Sequence, residues 1–383
     1  MLPPVPRLVT AFLAIGIAAL IAAQTARYVV ISRFPGFRDG TWFATVDDFR
    51  LVHLHVNYFE HGYLRRGLIG SLLHAIGAPD PVMAGWMLSL LAMIGFFGFV
   101  GWVVARTPPD RQIHMQIIAL VMVLGPAGVA QIVADAGRVD HVFLVLAPLA
   151  ALAGLRGRLF LSLALFVLMC MVHELALIAL APLLLVCNSL GASDRVVLRL
   201  GPAALPFSRR TAAAFALAIM GVVVVTVAFG DSPQAVLALS TAEGQQPEYA
   251  AMIWGPGSPI HHISWQGLPS LLLLLYYLAL VTLAVAHARS LDPGLWLLPA
   301  STVSCLILLL VGIDAGRWGV LSTWVVLTAL LAAETAQRRA GGADGGHRRL
   351  FVVSGLLLAL PVGPLGVIVP FEFVTRLVGY LTA

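Results

Sequence analysis

The chain has 383 residues, of which 60% are hydrophobic and 11% charged, and its mean hydropathy is +0.95. Soluble domains are about 25% charged, so this composition leaves too little polar surface for a water-soluble fold and predicts an all-α, polytopic integral membrane protein. The basic side of its net charge of +5 is all arginine, with no lysine; arginine in short membrane connections accounts for it, and no nucleic-acid partner is expected.

A spanning helix needs about 20 apolar residues. The first apolar run, residues 8–23, follows Arg7 and ends in alanines, as a signal peptide would. Because further apolar runs follow, it is expected to stay as the first helix. Residues 32–81 then form a long polar and aromatic stretch, read as an external loop. From Asp48, the residues Phe49, Val52, Val56, Phe59 and Tyr63 recur at helical spacing. That pattern predicts an amphipathic helix lying along the membrane surface.

Two constellations in this loop bear on chemistry. Asp47 and Asp48 are adjacent carboxylates; their repulsion raises one pKa and suits a general base, while an Asp at a helix start is also an ordinary cap. Arg65 and Arg66 precede Gly67 and Gly70. Paired guanidiniums beside a permissive backbone suit phosphate binding, the alternative being contact with lipid headgroups. His53, His55 and His61 do not share one helical face, so no metal centre is assigned to them.

Further spans are expected at 83–105, 115–133, 142–155, 159–172, 175–187, 211–229, 268–286, 295–311, 319–336 and 350–369. The total is about eleven in a single transmembrane domain covering 1–383. Arginines in the short connections, including Arg106, Arg111, Arg156, Arg158, Arg289 and those at 337–349, mark cytoplasmic turns by the positive-inside rule. The N-terminus is then cytoplasmic. Roughly 29 apolar residues between Arg158 and Arg195 are interrupted only by His173 and Glu174. With basic residues at both ends, the run should go out and return as two short helices that turn at this pair.

The tetrapeptide Asp135–Ala136–Gly137–Arg138 returns as Asp314–Ala315–Gly316–Arg317. Each copy is placed at the outer end of an apolar helix, as an internal repeat, an anion-holding device or a simple corner with a local ion pair. Asp140 and His141 extend the first copy. Residues 230–267, with Trp254, Trp265, His261 and His262, form a second external loop suited to sugar stacking or to interface anchoring. Cys170, Cys187 and Cys305 lie in apolar runs and are expected to be core residues. Ionisable residues therefore collect on the outer side, and polar residues are expected to be scarce in the inner halves of the helices.

A long first external loop with paired acids at Asp47–Asp48, amphipathic helices along the membrane and outer-face arginines together resemble the GT-C superfamily of membrane glycosyltransferases. The resemblance implies a polyprenyl-phosphate-linked sugar donor, a glycan or lipid acceptor, and Asp47 or Asp48 as catalytic base, acting with inversion. The tyrosine that often follows those acids is replaced by Leu51. On this reading Arg65, Arg66, Arg138 and Arg317 hold the departing phosphate, with Asp135, Asp140, His173, Glu174 and Asp314 around them. No cofactor is required, and a divalent metal is compatible with the chemistry. The expected location is a bacterial inner membrane, with membrane lipids as neighbours and the site facing the periplasm or exterior. An O-antigen polymerase or ligase, or a secondary transporter of an anionic solute, remain alternatives; scarce inner polar groups argue against the transporter.

Overall fold

The computed structural model describes residues 54, 57–61, 67–78, 81–105, 112–125, 137–200, 203–229, 268–292, 294–311, 315–340 and 355. Most of these are helical. A short α1 (Tyr58–His61) and α2 (Leu68–Ala75) precede α3 (Pro81–Ala105) and α4 (Gln112–Leu124). A 3-10 turn at Val139–Val142 leads into α5 (Phe143–Leu155), followed by α6 (Leu159–Val172) and α7 (Ala176–Gly191). After a two-stranded hairpin come α8 (Arg209–Phe229) and α9 (Leu268–Leu291), then the short α10 (Leu297–Ala300) and α11 (Cys305–Val311), and finally α12 (Ala315–Ala340). Among the described residues, four segments are long and apolar enough to cross a membrane: Met83–Trp102, Arg209–Val227, Leu271–Leu291 and Arg317–Gln337.

These helices are apolar all round, which is what burial against other helices or lipid requires. α12 is the axis of the bundle, packing on α4, α5, α7 and α9. Its spanning stretch is 78% buried, against 11% for that of α8, whose Leu217, Met220, Val224 and Val227 face outward. A helix so exposed and so apolar is compatible with a lipid surrounding. The core is filled largely by Ala, Leu and Val of α5, α7 and α12, with Phe96 set edge-on against Trp324 at 4.7 Å.

Helices α5, α6 and α7 form an antiparallel triplet. The turn Arg156–Gly157–Arg158 joins α5 to α6, and Gly157 takes φ +73°, a left-handed conformation that glycine adopts without steric cost. At this end α7 closes on the turn so tightly that a methyl group on Gly191 would overlap the Gly154 carbonyl oxygen. Asn188 Nδ2 donates to Ser162 Oγ at 2.8 Å, and Ser162 Oγ donates to the Ala150 carbonyl at 2.9 Å. The buried donors of Asn188 and Ser162 thus find acceptors across α5, α6 and α7, as burial away from water demands.

At the opposite end the chain breaks between α6 and α7 at His173, whose backbone is extended at φ −158° and ψ 123°. The predicted pair of short helices turning at His173–Glu174 is therefore present, and a single long helix is not. α6 and α7 hold 14 and 16 residues, which is about 21–24 Å, short of a hydrocarbon core about 30 Å thick.

Several expectations are corrected. The chain is not wholly helical: Val196–Leu200 (β1) pairs antiparallel with Ala203–Phe207 (β2), with Val197 opposite Pro206. β-branched and alternating residues favour a strand pair there, outside any spanning run. The span expected at 295–311 is divided into α10, a 3-10 turn at Ser301–Ser304 and α11; Pro299, which has no N–H to continue the ladder, sits in α10. The surface helix expected from Asp48 to Tyr63 is broken at Asn57, whose Oδ1 accepts from the N–H groups of Phe59 and Glu60 and starts α1 anew. α12 runs on to Ala340, into the stretch 337–349 expected to be a loop. The first and last expected spans lie outside the described residues, apart from 355.

Candidate functional site

An ion pair between residues 177 positions apart joins the segments that carry Arg138 and Arg317. Arg317, in the first turn of α12, donates from Nε to Asp140 Oδ2 at 2.7 Å and from Nη2 to Oδ1 at 2.8 Å. Asp140 stands in the 3-10 turn before α5, 177 residues earlier in the chain. A two-point contact of this kind fixes the guanidinium plane as well as its position. Arg317 also lies over the Trp318 ring at 5.0 Å, and that ring meets His173 edge-on at 5.8 Å. Arg138 adds its charge to the field at Asp140.

Local structure explains how these groups are held. Gly137, at φ +95°, turns the chain into the 3-10 segment, and its N–H donates to Ser89 Oγ of α3 at 2.8 Å. The same hydroxyl lies 3.0 Å from His141 Nδ1. Arg138 and His141 are buried by this anchoring, and His173 is buried at the α6–α7 break. His173 Nδ1 accepts the Leu175 N–H at 3.3 Å and lies 3.4 Å from Glu174 Oε2. Glu174 is the partly exposed member of the group, with 26% of its side chain accessible.

Among the sequence-derived candidates, Asp140 and Arg317 thus meet directly, and His173, Glu174 and Arg138 belong to the same end of the bundle. Asp47, Asp48, Arg65, Arg66, Asp135 and Asp314 lie outside the described residues, as do His53, His55 and the whole second external loop with Trp254 and Trp265; of the first loop's polar residues, Asn57, Glu60 and His74 are among those described. One link to the first loop is visible. Leu54, six residues after Asp48, and Gly137 both pack against Gly85 of α3.

The repeated tetrapeptide is not a repeated structure. Gly137 is left-handed in a turn, whereas Ala315, Gly316 and Arg317 open a helix. Four residues specify too little on their own, and the flanking sequence decides which backbone they adopt. Arg317 takes its acid from the first segment, so the two copies are joined across the bundle.

A second buried polar group was not foreseen. His287 Nε2 of α9 lies 2.7 Å from Glu334 Oε1 of α12, and His114 Nδ1 of α4 lies 3.2 Å from the same oxygen. Glu334 is fully buried and both histidines nearly so. α5 and α12 set out together from the Asp140–Arg317 pair and pack on one another, so Glu334 lies toward the end where α5 finishes at Arg156. It stands 17 residues from Arg317 on the same helix, about 26 Å away. This corrects the expected scarcity of polar residues in that half: His114, Gln116, His287, Glu334 and Gln337 are all buried. The available signal was Glu334, an ionisable residue inside the apolar run 319–336, which carries a functional presumption at membrane depth.

A cleft of about 500 Å³ lies at the end of the bundle opposite Arg317, by the Arg156–Arg158 turn, lined by Arg158, Asn188, Asp194 and Arg210 among others. Comparison of the chain with protein-family models, with curated proteins and with solved structures gives no match. The chemistry of the site rests on the residues themselves.

Proposed function

We propose that the chain is a membrane glycosyltransferase that moves a sugar from a polyprenyl-phosphate-linked donor to a hydroxyl of a glycan or lipid acceptor, at the external face of a bacterial inner membrane. The observation that carries this reading is the grouping of Arg138, Asp140, His173, Glu174 and Arg317 at the bundle end remote from the Arg156–Arg158 turn. A departing lipid phosphate needs cationic donors fixed in advance, and guanidinium is the side chain that meets phosphate in a planar, two-point contact. Asp140 preorganises Arg317, so little reorganisation remains when charge develops on the leaving group.

In this mechanism the acceptor oxygen attacks the anomeric carbon while the bond from that carbon to the phosphate oxygen breaks. The lipid phosphate leaves with the electron pair, and the acceptor proton passes to Asp47 or Asp48. A single displacement inverts the anomeric centre. Packing of Leu54 beside Gly137 supports bringing the first-loop acids, with Arg65 and Arg66, toward the same end; Asp135 and Asp314 flank the two arginines in sequence. No cofactor enters the step.

The test is transfer from a labelled polyprenyl-phosphate sugar by the purified protein in vesicles. Asp47→Asn or Asp48→Asn should lower transfer by about 10²–10⁴-fold, the usual weight of a general base. Full activity in both variants removes the base and the reading with it. An O-antigen polymerase or ligase uses the same bond changes and is told apart by transfer of a whole glycan chain.

The second reading, a secondary transporter of an anionic solute, is favoured by the buried His114–Glu334–His287 group, which gives α12 polar character toward both ends. Uptake of an anionic solute into proteoliposomes, with no glycan product, would decide for it.

A further inference from the structure

We propose that His114, His287 and Glu334 form a site for one divalent transition-metal ion, zinc above all, that ties α4, α9 and α12 together inside the bundle. His114 Nδ1, His287 Nε2 and a Glu334 carboxylate oxygen all lie within 4.8 Å of one another. A tetrahedral zinc with nitrogen and oxygen ligands at about 2.0–2.2 Å separates its ligand atoms by about 3.3–3.6 Å. The two contacts to Glu334 Oε1, at 2.7 and 3.2 Å, are shorter than that spacing, so the side chains must part by up to about 0.9 Å to admit an ion. Two imidazoles and one carboxylate form a ligand set suited to zinc.

A second observation separates this site from a purely hydrogen-bonded triad. Glu334 Oε2 is buried and makes no hydrogen bond among the described residues, and the same holds for Oε1 of Gln337, one helical turn further on. Both imidazole contacts fall on a single oxygen, which leaves the second oxygen with nothing to offset its loss of water. A divalent cation takes up further oxygen ligands, and Glu334 Oε2, on the same carboxylate, is available as one. Nearly complete burial of all three residues gives a closed coordination sphere, the mark of structural rather than catalytic zinc. The ligands come from three helices distant in sequence, so one ion would restrain three long-range packings at once.

The experiment uses the full-length, tag-free protein in detergent, stripped with chelator and titrated with zinc alone. One equivalent should bind, and the thermal unfolding midpoint should rise with added zinc. Glu334→Gln, which keeps the size of the side chain, should weaken zinc binding at least 100-fold and abolish the thermal shift; His114→Ala and His287→Ala should do the same. A folded wild-type protein that binds no zinc, or undiminished binding in Glu334→Gln, overturns the proposal. X-ray absorption on the zinc-loaded wild type needs no variant to fold. Imidazole scattering with nitrogen and oxygen neighbours is expected, and sulfur neighbours, from Cys170, Cys187 or Cys305, overturn it.

Discussion

α12 carries ionisable groups near both ends, and the two ends are built differently. Around Arg317 the charges are of both signs, their partner Asp140 sits in a turn, and Glu174 reaches a partly exposed position. Around Glu334 the partners are imidazoles projecting from the helices α4 and α9, and nothing in the group is exposed. A group fed by turns can admit a substrate, because loops tolerate rearrangement and solvent. A group held by three packed helices cannot do so without moving them. Under the proposed function the same helix has one end open to substrate and one closed end, and the difference lies in which elements supply the partners.

The largest expected effect comes from breaking the first end. Arg317→Ala leaves Asp140 as a buried charge without its two-point partner, and should cost about 3–5 kcal/mol of stability, read by unfolding of the detergent-purified protein. Asp140→Ala with Arg317→Ala together should cost less than either alone, since no lone charge remains; an additive result would mean that the two side chains do not act as a pair.

Next comes Gly191→Ala, where the added methyl group meets the Gly154 carbonyl. Overpacking of this sort should cost about 1–3 kcal/mol, and an unchanged unfolding midpoint would show that packing does not hold the end where α5, α6 and α7 close. At the second end, Glu334→Gln in metal-free protein should cost about 1–2 kcal/mol, because the amide oxygen still accepts from an imidazole. A loss as large as that of Arg317→Ala would erase the proposed contrast between the two ends. The smallest effect is expected at Leu217→Ala on the exposed face of α8. Stability should change by no more than about 0.5 kcal/mol, and a larger loss would place α8 against a protein partner instead of lipid.

Some of this was legible in the chain. Basic residues at both ends of the 159–191 run, with His173–Glu174 between them, led to the helical break that α6 and α7 display. The arginines of the repeated tetrapeptide drew attention to Arg138 and Arg317. The pairing of Arg317 with Asp140 was not legible, because the tetrapeptide's own aspartates were the nearer candidates. The imidazoles of α4 and α9 gave no local pattern either. Each stands at the edge of an apolar run beside other polar residues, and only a shared partner on α12 makes a cluster of them.

Composition and hydropathy alone set the solvent of this protein, its helical character and the places where apolar runs stop, since these depend on transfer free energies and backbone satisfaction residue by residue. Which helix became the buried axis, which stayed outermost as α8 did, and which acid each arginine met were decided only by tertiary packing. Helices of nearly uniform apolarity carry no face that specifies a neighbour. Their arrangement comes instead from small-residue contacts such as Gly154 with Gly191, and from a few polar groups whose partners lie more than a hundred residues away.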